Sequence, residues 1–196
     1  MKLFYTKRSP YARKVRVVAL EKNIPLESIE EDLTNKSSHL LEANPLGKIP
    51  TLILDNGQTL CDSPVICEYL DSLKVHPVLI PKVKAKRFRI LHLAAVADGL
   101  MDTTVAAYLE KTRHPEHFQE EFIKKQEETI FRCQEFIEKN LDDLKELSLA
   151  SIAVACAIGY ISFRMPQLGP QTKFDKLARW FMIFSQRPSM EETRPG

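Results

Sequence analysis

Between Asn44 and Leu70 the chain gathers groups that could hold a small polar ligand: Asn44-Pro45-Leu46-Gly47-Lys48-Ile49-Pro50-Thr51, and further on Asp62-Ser63-Pro64. Asp62-Ser63-Pro64 reads as a helix start, with Ser63 as N-cap and Pro64 at the first helical position. A helix N-terminus carries unpaired N–H groups and the positive end of the dipole. Ser63 and those N–H groups therefore suit a carboxylate, and Asp62 suits an ammonium. Taken alone, an Asp-Ser pair is an ordinary helix cap. Here it follows a proline and a hairpin, so backbone groups, a hydroxyl, a carboxylate and a helix dipole share one corner, as a peptide-like ligand requires. Ser9-Pro10 is a second helix start of the same kind, again with a hydroxyl at the cap.

The elements that must position these groups follow from pattern. Lys2 to Thr6 is rich in strand formers and predicts a first strand. Tyr11, Val15, Val18 and Ala19 lie on one face of a helix that ends near Lys22-Asn23, where Asn23 can take the left-handed conformation. Leu26 to Glu30 predicts a second strand, and Lys36 to Ala43 a loop with a short helix. Thr51 to Leu54 and Gln58 to Cys61 are short strands joined by the turn signal Asp55-Asn56-Gly57. Ile66, Tyr69, Leu70 and Leu73 share one face of the next helix. A helix between two strands points to a parallel βαβ unit, and the Asn-Gly turn to an antiparallel hairpin. The combination is an α/β, thioredoxin-like plan for residues 1–76.

Val75 to Lys82, with Pro77 and Pro81, reads as a linker, placed at 77–84. Residues 85–196 then predict an all-helical domain. Phe122, Ile130, Cys133, Ile137, Leu141 and Leu144 recur at helical spacing, and His114-Pro115 separates this pattern from the one before it. Ile152 to Ile158 is apolar on all sides, the mark of a helix buried within a helical domain. Phe174 to Phe184 gives a last helix, stopped at Arg187-Pro188.

Composition excludes some functions. Hydrophobic residues make up 44% and charged residues 28% of 196, which is ordinary for a globular protein and ample for a core. Up to residue 80 there are ten basic and ten acidic side chains, and the remainder carries eighteen and sixteen. Neither part is a polyelectrolyte, so no nucleic acid and no membrane surface is expected as a partner. The cluster Lys82, Lys84, Lys86, Arg87 and Arg89 reads as a solvated linker and helix face. No apolar run is expected to reach the length of a membrane span, and the start lacks the apolar segment of a signal peptide. Cys61, Cys67, Cys133 and Cys156 form no C-x-x-C pair and no metal-ligand spacing with the histidines. Reduced thiols, no metal and a cytoplasmic location are the expectation.

Two stretches resemble a known family. N-P-L-G-K-I-P-T-L with D-S-P-V-I-C-E-Y-L is similar to the glutathione-binding half of the glutathione S-transferases. S-L-A-S-I-A-V-A-C-A-I-G-Y-I-S-F-R is similar to the buried helix of that family's second domain. S-P-Y-A-R-K-V-R resembles the first helix of a bacterial subgroup. One departure concerns the start of the buried helix, where the family has S/T-x-x-D and this chain has Ser148-Leu149-Ala150-Ser151. The shorter, uncharged Ser151 should weaken the reciprocal capping bond and the dipole interaction, by about 0.5–1 kcal/mol.

The resemblance implies a two-domain homodimer that binds glutathione as substrate, ionises its thiol and adds it to a small hydrophobic electrophile. Ser9 would donate its hydroxyl to the sulfur, with Tyr5 and Thr6 as alternatives. The absence of a cysteine from this turn argues against thiol–disulfide exchange through an enzyme thiol. Ile49 would pair its backbone with the cysteinyl residue, beside a cis Pro50. Asp62 and Ser63 would take the γ-glutamyl end. Lys36 and Lys48, ahead of His39, are candidates for the glycyl carboxylate. Asp98 is a candidate for reaching a neighbouring subunit's glutathione. Tyr11, Leu100, Met101, Thr104 and Tyr108 are candidates for lining the second-substrate space. The same fold also carries non-catalytic interaction proteins, and a glutathione-dependent peroxidase or isomerase would share the first-domain site.

Overall fold

The structure is a computed structural model that describes residues 1–113 and 115–196. Its contacts divide into two units, Met1–Ile80 with Pro188–Gly196, and Pro81–Arg187. The first unit is built on a four-stranded sheet of order β2-β1-β3-β4. Strands β1 (Lys2–Tyr5) and β2 (Glu27–Glu30) run parallel, joined by α1 (Pro10–Glu21). Strand β3 (Thr51–Ile53) pairs antiparallel with β1, and β4 (Thr59–Leu60) antiparallel with β3. Central β1 contributes Leu3, Phe4 and Tyr5 to the core. This is the thioredoxin-like arrangement expected, with strands a residue or two shorter than the pattern suggested.

Local chemistry explains the boundaries. Ser9 caps α1, its Oγ accepting from the Ala12 N–H at 3.1 Å, and Pro10 occupies the first helical position. The helix is capped by Lys22, and the chain turns away at Asn23, which takes φ of 50°. A further short helix, α2 (Ser38–Ala43), is capped by Ser37. In the hairpin turn Gly57 has φ of 85°, and the Leu54 N–H donates to the Gln58 carbonyl at 2.8 Å. Helix α3 (Ser63–Leu73) begins one residue earlier than expected: Asp62 is the N-cap, Ser63 the first helical residue and Pro64 the second. Aspartate caps as well as serine, and its carboxylate takes the Ser63 N–H. The buried face of α3 is Ile66, Cys67 and Leu70, whereas Leu73 is exposed.

The stretch expected to be a linker is tied down through Ile80. The fully buried Lys22 ammonium donates to Asp71 Oδ1 at 2.7 Å and to the carbonyls of Lys74 and Pro77 at 2.6 and 2.7 Å. Asp71 also accepts from the N–H groups of Leu79 and Ile80 at 3.1 and 3.0 Å. The chain's last segment departs from the expected helical domain of residues 85–196. Helix α8 (Pro188–Glu192) lies in the first unit, where buried Arg13 donates to the Met190 carbonyl at 2.9 Å and Ser189 to Glu21 at 2.5 Å.

The second unit packs α4 (Lys84–Arg113) against α5 (Glu120–Lys139) and α6 (Leu149–Arg164), with α7 (Asp175–Phe184) following. Of the expected His114-Pro115 break, His114 lies outside the described residues. Helix α6 is buried along its length from Leu149 to Ile161, as its unbroken apolarity requires. Its start corrects one expectation: the reciprocal capping bond is made in full. The Ser148 N–H donates to Ser151 Oγ at 2.8 Å and the Ser151 N–H to Ser148 Oγ at 3.2 Å. The short serine side chain suffices because it needs to reach back only one turn. In α5 the buried positions are Ile123, Ile130, Gln134 and Ile137, so Phe122 and Cys133 sit at the edge of the stripe. A second correction concerns membranes. Helix α4 is long and apolar enough, by length and composition alone, to span a bilayer. Of its apolar residues, Ile90, Leu93, Leu100 and Met101 are buried in the protein, whereas Phe88 is exposed.

Candidate functional site

Strand register brings the expected site residues to one end of the sheet. Phe4 of β1 pairs with Thr51 of β3, so β1 ends where β3 begins. Tyr5, Thr6 and Ser9 therefore leave β1 at the end where Ile49 and Pro50 enter β3. Leu60 of β4 pairs with Leu52, which returns Cys61, Asp62 and Ser63 to that same end. Tyr5 pairs with Glu30, and β2 delivers Glu31 and the loop carrying Lys36 there too. Residues far apart in sequence thus share one edge because a parallel crossover and an antiparallel hairpin both end at it.

Each group has definite local surroundings. The Ile49–Pro50 bond is cis, and Pro50 is buried while Ile49 is half-buried. Among the described residues, neither the N–H nor the C=O of Ile49 is hydrogen-bonded, so both remain for an extended ligand. Ser63 is 1% exposed, and its Oγ has no hydrogen-bond partner. Leaving a buried hydroxyl unmet costs about 1–3 kcal/mol, so such a group calls for an explanation. Its N–H is engaged by Asp62 and Pro64 has none, which leaves the Val65 N–H as the free donor of this first turn among the described residues. Asp62 is exposed.

Ser9 is half-buried. Its Oγ accepts from Ala12, so its own proton remains to donate, and capping and donation are compatible. Tyr5 is differently placed: its ring is buried, with the Arg16 guanidinium carbon 4.9 Å from the centroid. Thr6 is half-buried. Lys36, His39 and Lys48 are exposed, and the Lys36 ammonium lies against Gly47, beside Lys48. Asp98 is half-buried on α4 in the second unit. Of the candidates for the second-substrate space, Leu100, Met101 and Thr104 are fully buried in the helical core. That corrects the expectation, since apolar residues at helical spacing on a central helix face the core first. Tyr11 and Tyr108 are half-buried.

Two positioning groups were not foreseen. Buried Asn44 donates to the Lys48 carbonyl at 3.0 Å and to Thr51 Oγ1 at 2.9 Å, and accepts from the Leu46 N–H at 2.9 Å. Thr51 donates to the same Lys48 carbonyl at 2.7 Å. This network fixes the loop that presents Ile49. Buried Glu31 accepts from the Ser37 N–H and hydroxyl at 3.2 and 2.6 Å, anchoring the loop that carries Lys36. The sequence signal was the asparagine opening N-P-L-G-K-I-P-T, whose partners become visible only when the loop closes. Among the described residues, no group of three or more His, Cys, Asp or Glu is placed to hold a metal.

Comparison with known proteins agrees with this geometry. Residues 8–73 match the family described as glutathione S-transferase, N-terminal domain. The chain is 34% identical to the uncharacterized GST-like protein YibF of Escherichia coli K12, over all of this chain and 98% of that one. A glutathione transferase family member from Pseudomonas fluorescens Pf-5, solved with glutathione bound, is 41% identical with a TM-score of 0.92. The match covers 100% of this chain and 98% of that one. A further Pseudomonas fluorescens Pf-5 structure, with S-(propanoic acid)-glutathione bound, is also 41% identical, with a TM-score of 0.90 and coverage of 100% and 99%. The chain belongs to the glutathione S-transferase family.

Proposed function

We propose that this chain is a glutathione transferase whose first unit binds glutathione, stabilises its thiolate and presents it to a small electrophile. The observation that carries the reading is the buried, unpartnered Ser63 Oγ at the start of α3. The γ-glutamyl carboxylate accepts from Ser63 and the Val65 N–H, beside the positive end of the helix dipole. Asp62 meets the α-ammonium. The cysteinyl backbone pairs with the N–H and C=O of Ile49, adding a short strand at the sheet end. Lys36 and Lys48 face the glycyl carboxylate.

These contacts set the sulfur beside Ser9, whose free proton donates to it. A free thiol has a pKa near 8.5, so little is ionised at neutral pH. Lowering that value by one to two units stabilises the thiolate by roughly 1.4–2.7 kcal/mol, within reach of one hydroxyl hydrogen bond and a helix N-terminus. The thiolate then attacks an electrophilic carbon and forms the thioether, either as a leaving group departs with its bonding pair or, in an addition to an activated double bond, as the π pair shifts to the neighbouring atom and takes up a proton from water. The S-(propanoic acid)-glutathione bound to the Pseudomonas fluorescens Pf-5 protein is such a thioether and supports the reading. A cytoplasmic homodimer is part of the proposal and rests on the family.

The test is the ultraviolet absorbance of the thiolate of bound glutathione. Ser9→Ala keeps glutathione binding and loses the thiolate signal, while Tyr5→Phe keeps both. Survival of the signal in Ser9→Ala with its loss in Tyr5→Phe would make Tyr5 the donor.

A further inference from the structure

Arg164 ends α6 in the second unit, and its surroundings differ from those of Lys86 and Arg89. Lys86 pairs with Glu146 and Arg89 with Asp143. Among the described residues no carboxylate pairs with Arg164. Instead its Nη1 donates to the Tyr108 hydroxyl at 3.0 Å. Its guanidinium carbon lies 4.3 Å from the Tyr108 ring centroid and 4.2 Å from that of Phe163. Its Nε is buried and has no hydrogen-bond partner.

A strut joining α4 to α6 would account for the Tyr108 bond and the stacked rings. It leaves the buried Nε unexplained, because a donor of a charged group is the least tolerable kind to leave unmet. The guanidinium is held by the hydroxyls of Tyr108 and Tyr160 and by two rings. Its unmet Nε–H lies on the Nε–Nη2 edge, whose two parallel N–H groups match a planar carboxylate. The Tyr108 hydroxyl accepts from Arg164, so its own proton is free to donate. Burial raises the Tyr160 hydroxyl above its ordinary range, and Arg164 acts against that shift. The Tyr160 hydroxyl is hydrogen-bonded to Arg164, an acceptor-less group, so its own proton remains to donate.

We propose that Arg164, Tyr108 and Tyr160 form a recognition site for the carboxylate of a small organic molecule with an apolar or aromatic body. On the transferase reading above, that molecule is the second substrate. The rings of Tyr108 and Phe163 supply the apolar wall. Phe163 is half-buried and stacks against the guanidinium.

The experiment is calorimetric titration of the full chain with 3-phenylpropanoate and with its neutral amide, without glutathione. The acid binds about tenfold more tightly than the amide. R164Q abolishes the preference, and R164K, which keeps the charge without the fork, retains only part of it. Glutathione affinity of R164Q stays within about twofold of the unsubstituted protein. Equal binding of acid and amide, no binding of either at millimolar concentration, or an intact preference in R164Q overturns the proposal. A large loss of glutathione affinity in R164Q would assign Arg164 to the tripeptide and overturn it as well. The acid–amide comparison needs no variant, so a folding defect in R164Q leaves the test standing. Failure of glutathione to bind would sink the transferase reading and leave the acid–amide preference to be judged separately.

Discussion

Two polar clusters of the first unit are built from similar chemistry and are finished differently. Around Lys22 every strong group is met: the ammonium has three acceptors, and Asp71 answers it and two backbone N–H groups. At the start of α3 the groups are left unmet: Ser63 Oγ has no partner, and the Ile49 backbone is unpaired among the described residues. Both sites are buried enough that unmet hydrogen bonds matter. A closed cluster contributes to stability and fixes the chain after α3. An open one of the same polarity is destabilising by itself, and a ligand that supplies the missing partners explains it.

Breaking the closed cluster should have the largest effect on folding. Asp71→Ala leaves a buried ammonium without its counter-charge and should destabilise by about 3–5 kcal/mol, read from the urea midpoint. Next comes the network that shapes the open site. Asn44→Ala removes two donors and an acceptor from the loop ahead of Ile49. It should cost about 1–3 kcal/mol in the same measurement and weaken glutathione binding too. If Asn44→Ala lowered stability alone, the loop would not need that support to present Ile49.

The smallest effect is one of pH and lies outside both clusters. Burial raises the Cys133 thiol and the Tyr160 phenol above their ordinary values, with Arg132 and Arg164 opposing. In each case the unfolded chain ionises first. Their contribution is therefore fully present below those ordinary values and lost as pH rises past them. Urea midpoints should fall with alkaline pH, and Cys133→Ser with Tyr160→Phe should flatten the fall. A slope unchanged in the double variant would show that other groups govern it.

The sequence made the site's parts legible where the signal was local. Ser9-Pro10, the turn at Gly57 and the apolar run of α6 each act within a few residues, so their chemistry is written in order along the chain. The start of α3 was misread by one position because Asp62 and Ser63 are both good caps, and only the backbone decides between them. Lys22 reads in the sequence only as the end of a helix and Asp71 carries no signal, since their pairing depends on a fold that joins residues 49 apart. The same holds for Asn44, whose partners lie across a loop, and for Arg13, which holds the chain's last helix. Long-range polar closure is what composition and periodicity do not record. The convergence of Ser9, Ile49 and Ser63 came from the family resemblance first and from strand register second.

The most direct measurement is Ser63→Ala read two ways, by urea denaturation without ligand and by calorimetric titration with glutathione. Removing an unmet hydroxyl should leave stability unchanged or raise it by up to about 1 kcal/mol. Glutathione affinity should fall about tenfold or more, because the γ-glutamyl carboxylate loses its donor. Lower stability with unchanged glutathione affinity would contradict the account, since Ser63 would then serve the fold and the open corner would not be the place where the tripeptide binds.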